Sequence, residues 1–74
     1  MITVDALGTW CPVPLRLLRR RMEAAADGDE VRLLADDPLI EVDLPAWCHD
    51  SGHELVSLTN DGDVWTGIVR ARLA

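Results

Sequence analysis

Ile2-Thr3-Val4-Asp5-Ala6-Leu7-Gly8-Thr9-Trp10-Cys11-Pro12-Val13-Pro14 takes the chain from one backbone habit to another. Ile2 to Asp5 is short and β-branched, and reads as a first strand. Gly8 marks a turn, and Thr9-Trp10-Cys11 lead into a helical pattern that begins near Val13. Cys11 therefore stands at the mouth of a helix. Pro12 and Pro14 each fix φ at about −65° and have no N–H to leave unpaired in a first turn. The remaining N–H groups of that turn are expected to point outward, where the helix dipole favours negative charge. Thiolate is the reactive form of cysteine and a helix N-terminus favours it, so the stretch predicts a reactive sulfur at Cys11.

Downstream, Leu15, Leu18, Met22 and Ala25 fall on one stripe of a helix running from Val13 to about Ala26, with Arg16, Arg19, Arg20 and Glu23 opposite. Asp27-Gly28-Asp29 ends it with a glycine cap. Glu30 to Ala35 reads as a second strand, bounded by Asp36-Asp37-Pro38. Leu39 to Leu44 could open a helix, but Pro45 interrupts it. The preferred reading is a short turn and then a helix with Asp43 as N-cap and Pro45 in its first turn. That helix runs through Trp47 and Cys48 to a stop at Ser51-Gly52. His53 to Asn60 gives a third strand, Asp61-Gly62 a hairpin turn, and Asp63 to Leu73 a fourth strand. The order β-α-β-α-β-β implies a right-handed crossover between parallel strands, then an antiparallel hairpin. The fold expected is α+β, a two-layer α/β sandwich whose four-stranded mixed sheet carries both helices on one face. It forms a single domain over residues 1–74, and Trp65 is placed on the bare face of the sheet.

The 74 residues can bury only a small core. Hydrophobic residues make up 49% of the chain and the mean hydropathy is +0.07, which suits a globular domain. No apolar run approaches the ~20 residues that span a bilayer, and the N-terminus lacks the pattern of a signal peptide. A cytoplasmic location with no membrane contact is the expectation, and two cysteines there read as thiols rather than a disulfide. A net charge of −6 and the absence of Phe and Tyr argue against direct nucleic-acid binding. The chain has no lysine, which excludes a pyridoxal phosphate Schiff base, a Walker-type phosphate loop and any catalytic lysine.

Three parts of the chain then match a known pattern in order. Asp5-Ala6-Leu7-Gly8-Thr9-Trp10-Cys11-Pro12-Val13-Pro14 resembles the N-terminal signature of the TusA/SirA-like sulfur-carrier proteins, an acidic or polar residue, a glycine and Cys-Pro-x-Pro. Ala35-Asp36-Asp37-Pro38 resembles their second recurrent segment, and Asp43-Leu44-Pro45-Ala46-Trp47-Cys48 with Gly52-His53-Glu54-Leu55 a third. The resemblance implies a split β-α-β fold like that of the C-terminal domain of translation initiation factor three. It also implies a sulfurtransferase acting as a carrier, in which Cys11 takes sulfane sulfur as a persulfide and passes it on. The implied partners are a cysteine desulfurase or other sulfur donor protein and a downstream acceptor protein, in tRNA thiolation, cofactor assembly or sulfur metabolism. No cofactor and no metal are implied. Trp10 stands where small aliphatic or basic residues are common, and the last strand carries Arg70 and Arg72 without lysine. Both positions are expected to contribute to partner docking.

A carrier needs an exposed thiol that ionises near neutral pH on a rigid element, since transfer is thiolate attack on sulfur. Cys11 between two prolines meets those needs. Cys48, after Trp47 on the inner face of the second helix, reads as a small core hydrophobe, with a resolving thiol or second sulfur site as the other reading. His49 and His53 with the cysteines fit no standard zinc spacing. Asp36-Asp37 could orient a metal or a base, but reads first as a strand end and a cap. The run Arg19-Arg20-Arg21, with Arg16, is either a solvated face or a docking surface for an acidic partner. Two other functions remain open at this level: a non-catalytic regulatory or adaptor domain, and a dithiol redox protein cycling Cys11 and Cys48.

Overall fold

A computed structural model of the chain describes residues 1–10 and 12–72. Its elements are β1 (Ile2–Asp5), α1 (Val13–Glu23), β2 (Glu30–Ala35), α2 (Ile40–Ser51), β3 (Glu54–Asp61) and β4 (Val64–Arg70). The strands form one sheet in the order β1-β2-β4-β3, with β1 and β2 parallel and the β2–β4 and β4–β3 pairs antiparallel. The α+β sandwich expected from the sequence is thus the observed fold.

Alternation along the strands sets the two faces. Val31, Leu33 and Ala35 of β2 point into the core and are at most 1% exposed, whereas Arg32 between them is exposed. Register carries the same face across the sheet, pairing Val4 with Leu33 on one side and Gly67 with Leu33 on the other. α1 packs against β1 and β2, and α2 against β3 and β4. Leu18, Met22, Ile40, Leu44 and Cys48 close the core from above. The register also corrects the placement of Trp65. It pairs with Ala35, shares the helix-covered face and packs half-buried against the core. The opposite face carries Arg70, paired with Glu30 on β2 and Glu54 on β3.

α1 ends at Glu23, not near Ala26, and Gly28 is not its cap. Ala24 and Ala25 donate to Arg21 and Met22 in tight three-residue turns, while the Ala26 amide goes to the Asp29 carboxylate (2.9 Å). Gly28, at φ +88°, binds across to the Ala71 carbonyl (2.8 Å), and Ala71 returns a bond to Asp29. The chain after Arg70 is drawn to this turn, so β4 stops there rather than reaching toward Leu73, which lies outside the described residues. Along α1 the buried residues are Pro14, Leu18 and Met22, and Leu15 is only partly covered.

α2 starts at Ile40 and contains Pro45 in its interior, so Asp43 is not its N-cap. Pro45 deprives the Glu41 carbonyl of its helical donor, at a cost of about 3 kcal/mol. Ile40, Leu44 and Cys48, four apart, all become buried at 3% exposure or less. Burying an aliphatic side chain contributes roughly 1.5–3 kcal/mol, so the stripe outweighs the proline. The helix stops as expected, at Gly52 with φ +83°. The β3–β4 turn is Gly62-Asp63, one residue later than the Asp61-Gly62 reading, because Asp61 still pairs with Val64. Gly62 takes positive φ and Asp63 does not, the pattern of a type II′ hairpin.

Candidate functional site

The segment from Ala6 to Trp10 leaves β1 at its C-terminal end and is fastened by a hydrogen bond at each residue. The Ala6 amide extends the β1–β2 ladder to the Leu34 carbonyl (2.8 Å). Leu7 donates to Asp5 Oδ1 (3.0 Å), and the Thr9 hydroxyl donates to the Ala6 carbonyl (2.7 Å). Gly8, at φ +78°, is the one point where the segment needs a residue without a Cβ. Its amide is aimed at Asp36, just past β2, and donates to both carboxylate oxygens at 3.1 Å. The Trp10 carbonyl then accepts the Val13 amide (2.8 Å), and the Pro12 carbonyl accepts the Arg16 amide (3.0 Å).

Cys11 itself lies outside the described residues. Its chain neighbours Trp10 and Pro12 are both exposed. The expectation that first-turn N–H groups point outward is corrected at Val13, whose amide is taken by Trp10. Pro12 and Pro14 have none to offer. The aligned peptide dipoles of the helix favour negative charge at this end of α1.

Asp36 and Asp37 divide two tasks. Asp37 folds the turn that leads into α2, accepting the Leu39 amide at Oδ1 (3.0 Å) and the Ile40 amide at its carbonyl (3.1 Å), while the N-cap position itself is Leu39, without a side-chain capping bond. Asp36 ties the Gly8 turn to the central strand β2. Sequence reading missed that tie, and the only local signal for it was a glycine on one side and a strand-ending aspartate on the other. Between the two segments runs a groove of about 500 Å³, walled by Gly8, Thr9 and Trp10 and by Asp36 through Leu39. Trp10 is 78% exposed and Leu39 54%.

The remaining candidates separate clearly. Cys48 is a free thiol, 3% exposed among core side chains, and burial pushes its pKa up to about 11. It has the small-hydrophobe role expected of it. His53 stacks obliquely on Trp47, with ring centroids 5.5 Å apart, and accepts the Arg72 amide at Nδ1 (3.0 Å). His49 is exposed on the outside of α2. Among the described residues no three His, Cys, Asp or Glu side chains gather as a metal site. Arg70 and Arg72 are committed within the fold. Arg70 donates to Glu30 (2.6 and 3.1 Å) and Glu54 (3.2 Å), and Arg72 also donates to Glu54. Hydrogen bonding from Arg72, with the charge of Arg70, holds the Glu54 carboxyl below its ordinary pKa. Among the described residues, the ion pair on α1 is that of Arg19 with Glu23, at 3.8 Å across open solvent. Arg16 and Arg20 have no ion pair among the described residues.

Comparison with known proteins agrees with this geometry. Residues 2–71 match the family model for sulfurtransferase TusA. An Archaeoglobus fulgidus protein named "Putative sulfur carrier protein" is 34% identical over 70 residues, spanning 95% of this chain and 96% of its own. The crystal structure of a SirA-like protein from Desulfitobacterium hafniense superposes with a TM-score of 0.83 at 27% identity, covering 99% of this chain and 100% of that one. No described helix is long and apolar enough to cross a membrane. The chain belongs to the TusA sulfurtransferase family.

Proposed function

We propose that this protein is a sulfur carrier that accepts sulfane sulfur on Cys11 as a persulfide and hands it to an acceptor protein. In the loading step the Cys11 thiolate attacks the terminal sulfur of the donor's persulfide. The donor's S–S bond breaks, its cysteine leaves as thiolate, and a new S–S bond forms on Cys11 with no net oxidation. Unloading is the same step in reverse sense, with the acceptor as nucleophile. A cysteine desulfurase is the donor proposed, and tRNA thiolation, cofactor assembly and sulfur metabolism are the destinations open to the sulfur.

The observation that carries the reading is the fastening of the Gly8 turn to Asp36. A carrier has no elaborate active site, so what it contributes is position, and this bond fixes the segment that precedes Cys11 in the chain. The state of Cys48 supports the same assignment. A buried thiol with a pKa near 11 holds almost no thiolate at neutral pH, which leaves Cys11 as the usable sulfur of the chain's two cysteines. It also weighs against a dithiol cycle between them.

The test is mass spectrometry after incubation with a cysteine desulfurase and cysteine. One added sulfur atom is expected, lost on reduction and absent in Cys11→Ser, while Cys48→Ala still loads. Sulfur appearing on Cys11→Ser removes the assignment. A wild-type protein that never loads, with a Cys11 slow to alkylate at neutral pH, favours the adaptor reading instead.

A further inference from the structure

His53 fills the joint between the cap of α2 at Gly52 and the start of β3 at Glu54. Its side chain is half-buried and has two partners. Nδ1 accepts the backbone amide of Arg72 (3.0 Å), and the ring lies on Trp47 with centroids 5.5 Å apart and planes inclined at 32°. A peptide amide can only donate, so Nδ1 must offer a lone pair and the ring's proton sits on Nε2. The bond to Arg72 therefore exists only for the neutral imidazole. The contact with Trp47 has the opposite preference, because a cation within about 6 Å of an indole centroid is attracted by that ring's quadrupole. One side chain thus holds one partner in its neutral form and is drawn to another in its charged form.

The charges around the ring are divided as well. Arg19 and Glu23 of α1 line the same cavity as His53, where α2 contributes the uncharged Trp47 and Ser51. Asp50 lies three residues earlier, on the last turn of α2. Glu54 follows on β3, with Arg70 of β4 and Arg72 bonded to it. Glu23, Asp50, Glu54 and the C-terminal end of the helix favour a positive ring, and Arg19, Arg70 and Arg72 oppose one. The neighbouring backbone is less divided. Ala71 is tied to the Gly28-Asp29 turn by two backbone bonds of 2.8 Å. The chain is therefore secured up to Ala71 whatever the state of His53, and Arg72 is where it can part.

We propose that His53 is a pH-operated latch on the segment that follows β4, closed on Arg72 as a neutral ring and opened by protonation, which leaves the imidazolium on Trp47. Imidazole takes up its proton within about pH 5 to 8. The latch is closed at the alkaline end of that range and open at the acid end. Trp47 also lines the next cavity along, with Pro12, Leu15, Arg16 and Arg19. The ring that receives the imidazolium is thus the one shared by both cavities between α1 and α2. Neither cysteine takes part, so the latch stands apart from the carrier reading.

Nuclear magnetic resonance of the full chain, followed from about pH 8 to about pH 5, tests this. At the alkaline end the His53 ring nitrogens should show the Nε2–H tautomer, with Nδ1 unprotonated. On acidification the His53 ring, the Arg72 amide and the Trp47 indole should move with a single midpoint. Protection of the Arg72 amide against exchange, relative to its intrinsic rate at each pH, should fall by about fivefold, the worth of one lost hydrogen bond. The Ala71 amide, held by the Asp29 carbonyl, should keep its protection. His53→Asn, whose side-chain amide does not titrate, should abolish the pH dependence at Arg72. An Arg72 amide that ignores the titration of His53, an Nδ1–H tautomer at the alkaline end, or the same pH dependence in His53→Asn overturns the proposal.

Discussion

Leu44 of α2 lies directly over Gly67 of β4, so close that a Cβ on residue 67 would fall well inside van der Waals contact with Leu44 Cδ2. Leu44 is fully buried, and the second neighbour of that position is Leu58 Cδ1 at 3.6 Å. The missing side chain at 67 is what lets α2 sit down on the sheet. Gly67→Ala should therefore destabilise by roughly 1–3 kcal/mol through overpacking, and Leu44→Ala by roughly 2–5 kcal/mol through the cavity it leaves. Together they should cost less than the two separately, by about 1 kcal/mol or more, because each relieves the other. Urea denaturation of the four proteins measures the coupling, and strict additivity would contradict the contact.

Pro45 interrupts the hydrogen-bond ladder of α2, leaving the Glu41 carbonyl without its helical donor. Pro45→Ala restores the N–H and should raise stability by about 1–2 kcal/mol, part of the gain being offset by the freer unfolded chain. A lower denaturation midpoint in the variant would show that the proline's ring is packed to advantage.

Asp36→Ala should cost about 1 kcal/mol, the worth of an exposed hydrogen bond to a carboxylate, and speed exchange of the Gly8 amide by roughly fivefold. Asp36→Asn keeps one acceptor and should fall between. Sulfur loading should slow with the loosened turn. Loading at the wild-type rate with accelerated Gly8 exchange would separate the turn's rigidity from transfer.

Acid stability depends on Glu54. Its carboxyl is held below the ordinary value by hydrogen bonding from Arg72 and the charge of Arg70. The folded state therefore releases this proton more readily than the unfolded state. The stabilisation is complete above the ordinary carboxylate pKa of about 4.3 and is lost as pH falls through the depressed folded value. Glu54→Gln should flatten the acid limb of a stability–pH curve while leaving its shape near neutrality unchanged. An unaltered acid limb would assign the loss to other carboxylates.

Cys48 works in the opposite sense at high pH. With its pKa raised by burial from 9.0 to about 11, the neutral thiol belongs to the folded state, so stability is full below pH 9 and falls as pH rises toward 11. In the native protein at neutral pH, iodoacetamide should leave Cys48 unmodified and reach it only after denaturant is added. Rapid native-state labelling at Cys48 would contradict its burial.

Much of this was legible from residue order. β-branched Ile2-Thr3-Val4, the alternating Glu30 to Ala35 and the glycine at 52 each announce an element or its end through local physics. The start of α2 was not, because Pro45 is a strong local signal and the four-residue spacing of Ile40, Leu44 and Cys48 wins only when the sheet is present to bury them. Trp65 shows the same limit. Which face a strand residue takes depends on its pairing with the rest of the sheet, and it is the partnership of Trp65 with Ala35 on β2 that puts it under the helices. At the site, the cysteine motif is contiguous and readable, whereas the Gly8–Asp36 bond joins positions 28 residues apart that only the β1–β2 pairing brings together.

That bond has a thermodynamic consequence. β2 is an interior strand of the sheet, and Asp36 follows it without a break. The Gly8 turn is thus tethered to the sheet's centre, and opening it means breaking that tie first. Its conformational entropy is surrendered once, when the chain folds, and need not be surrendered again at each encounter with a donor or acceptor. A small protein that must meet two partners in turn, and release both, can in this way keep its associations brief without making them imprecise.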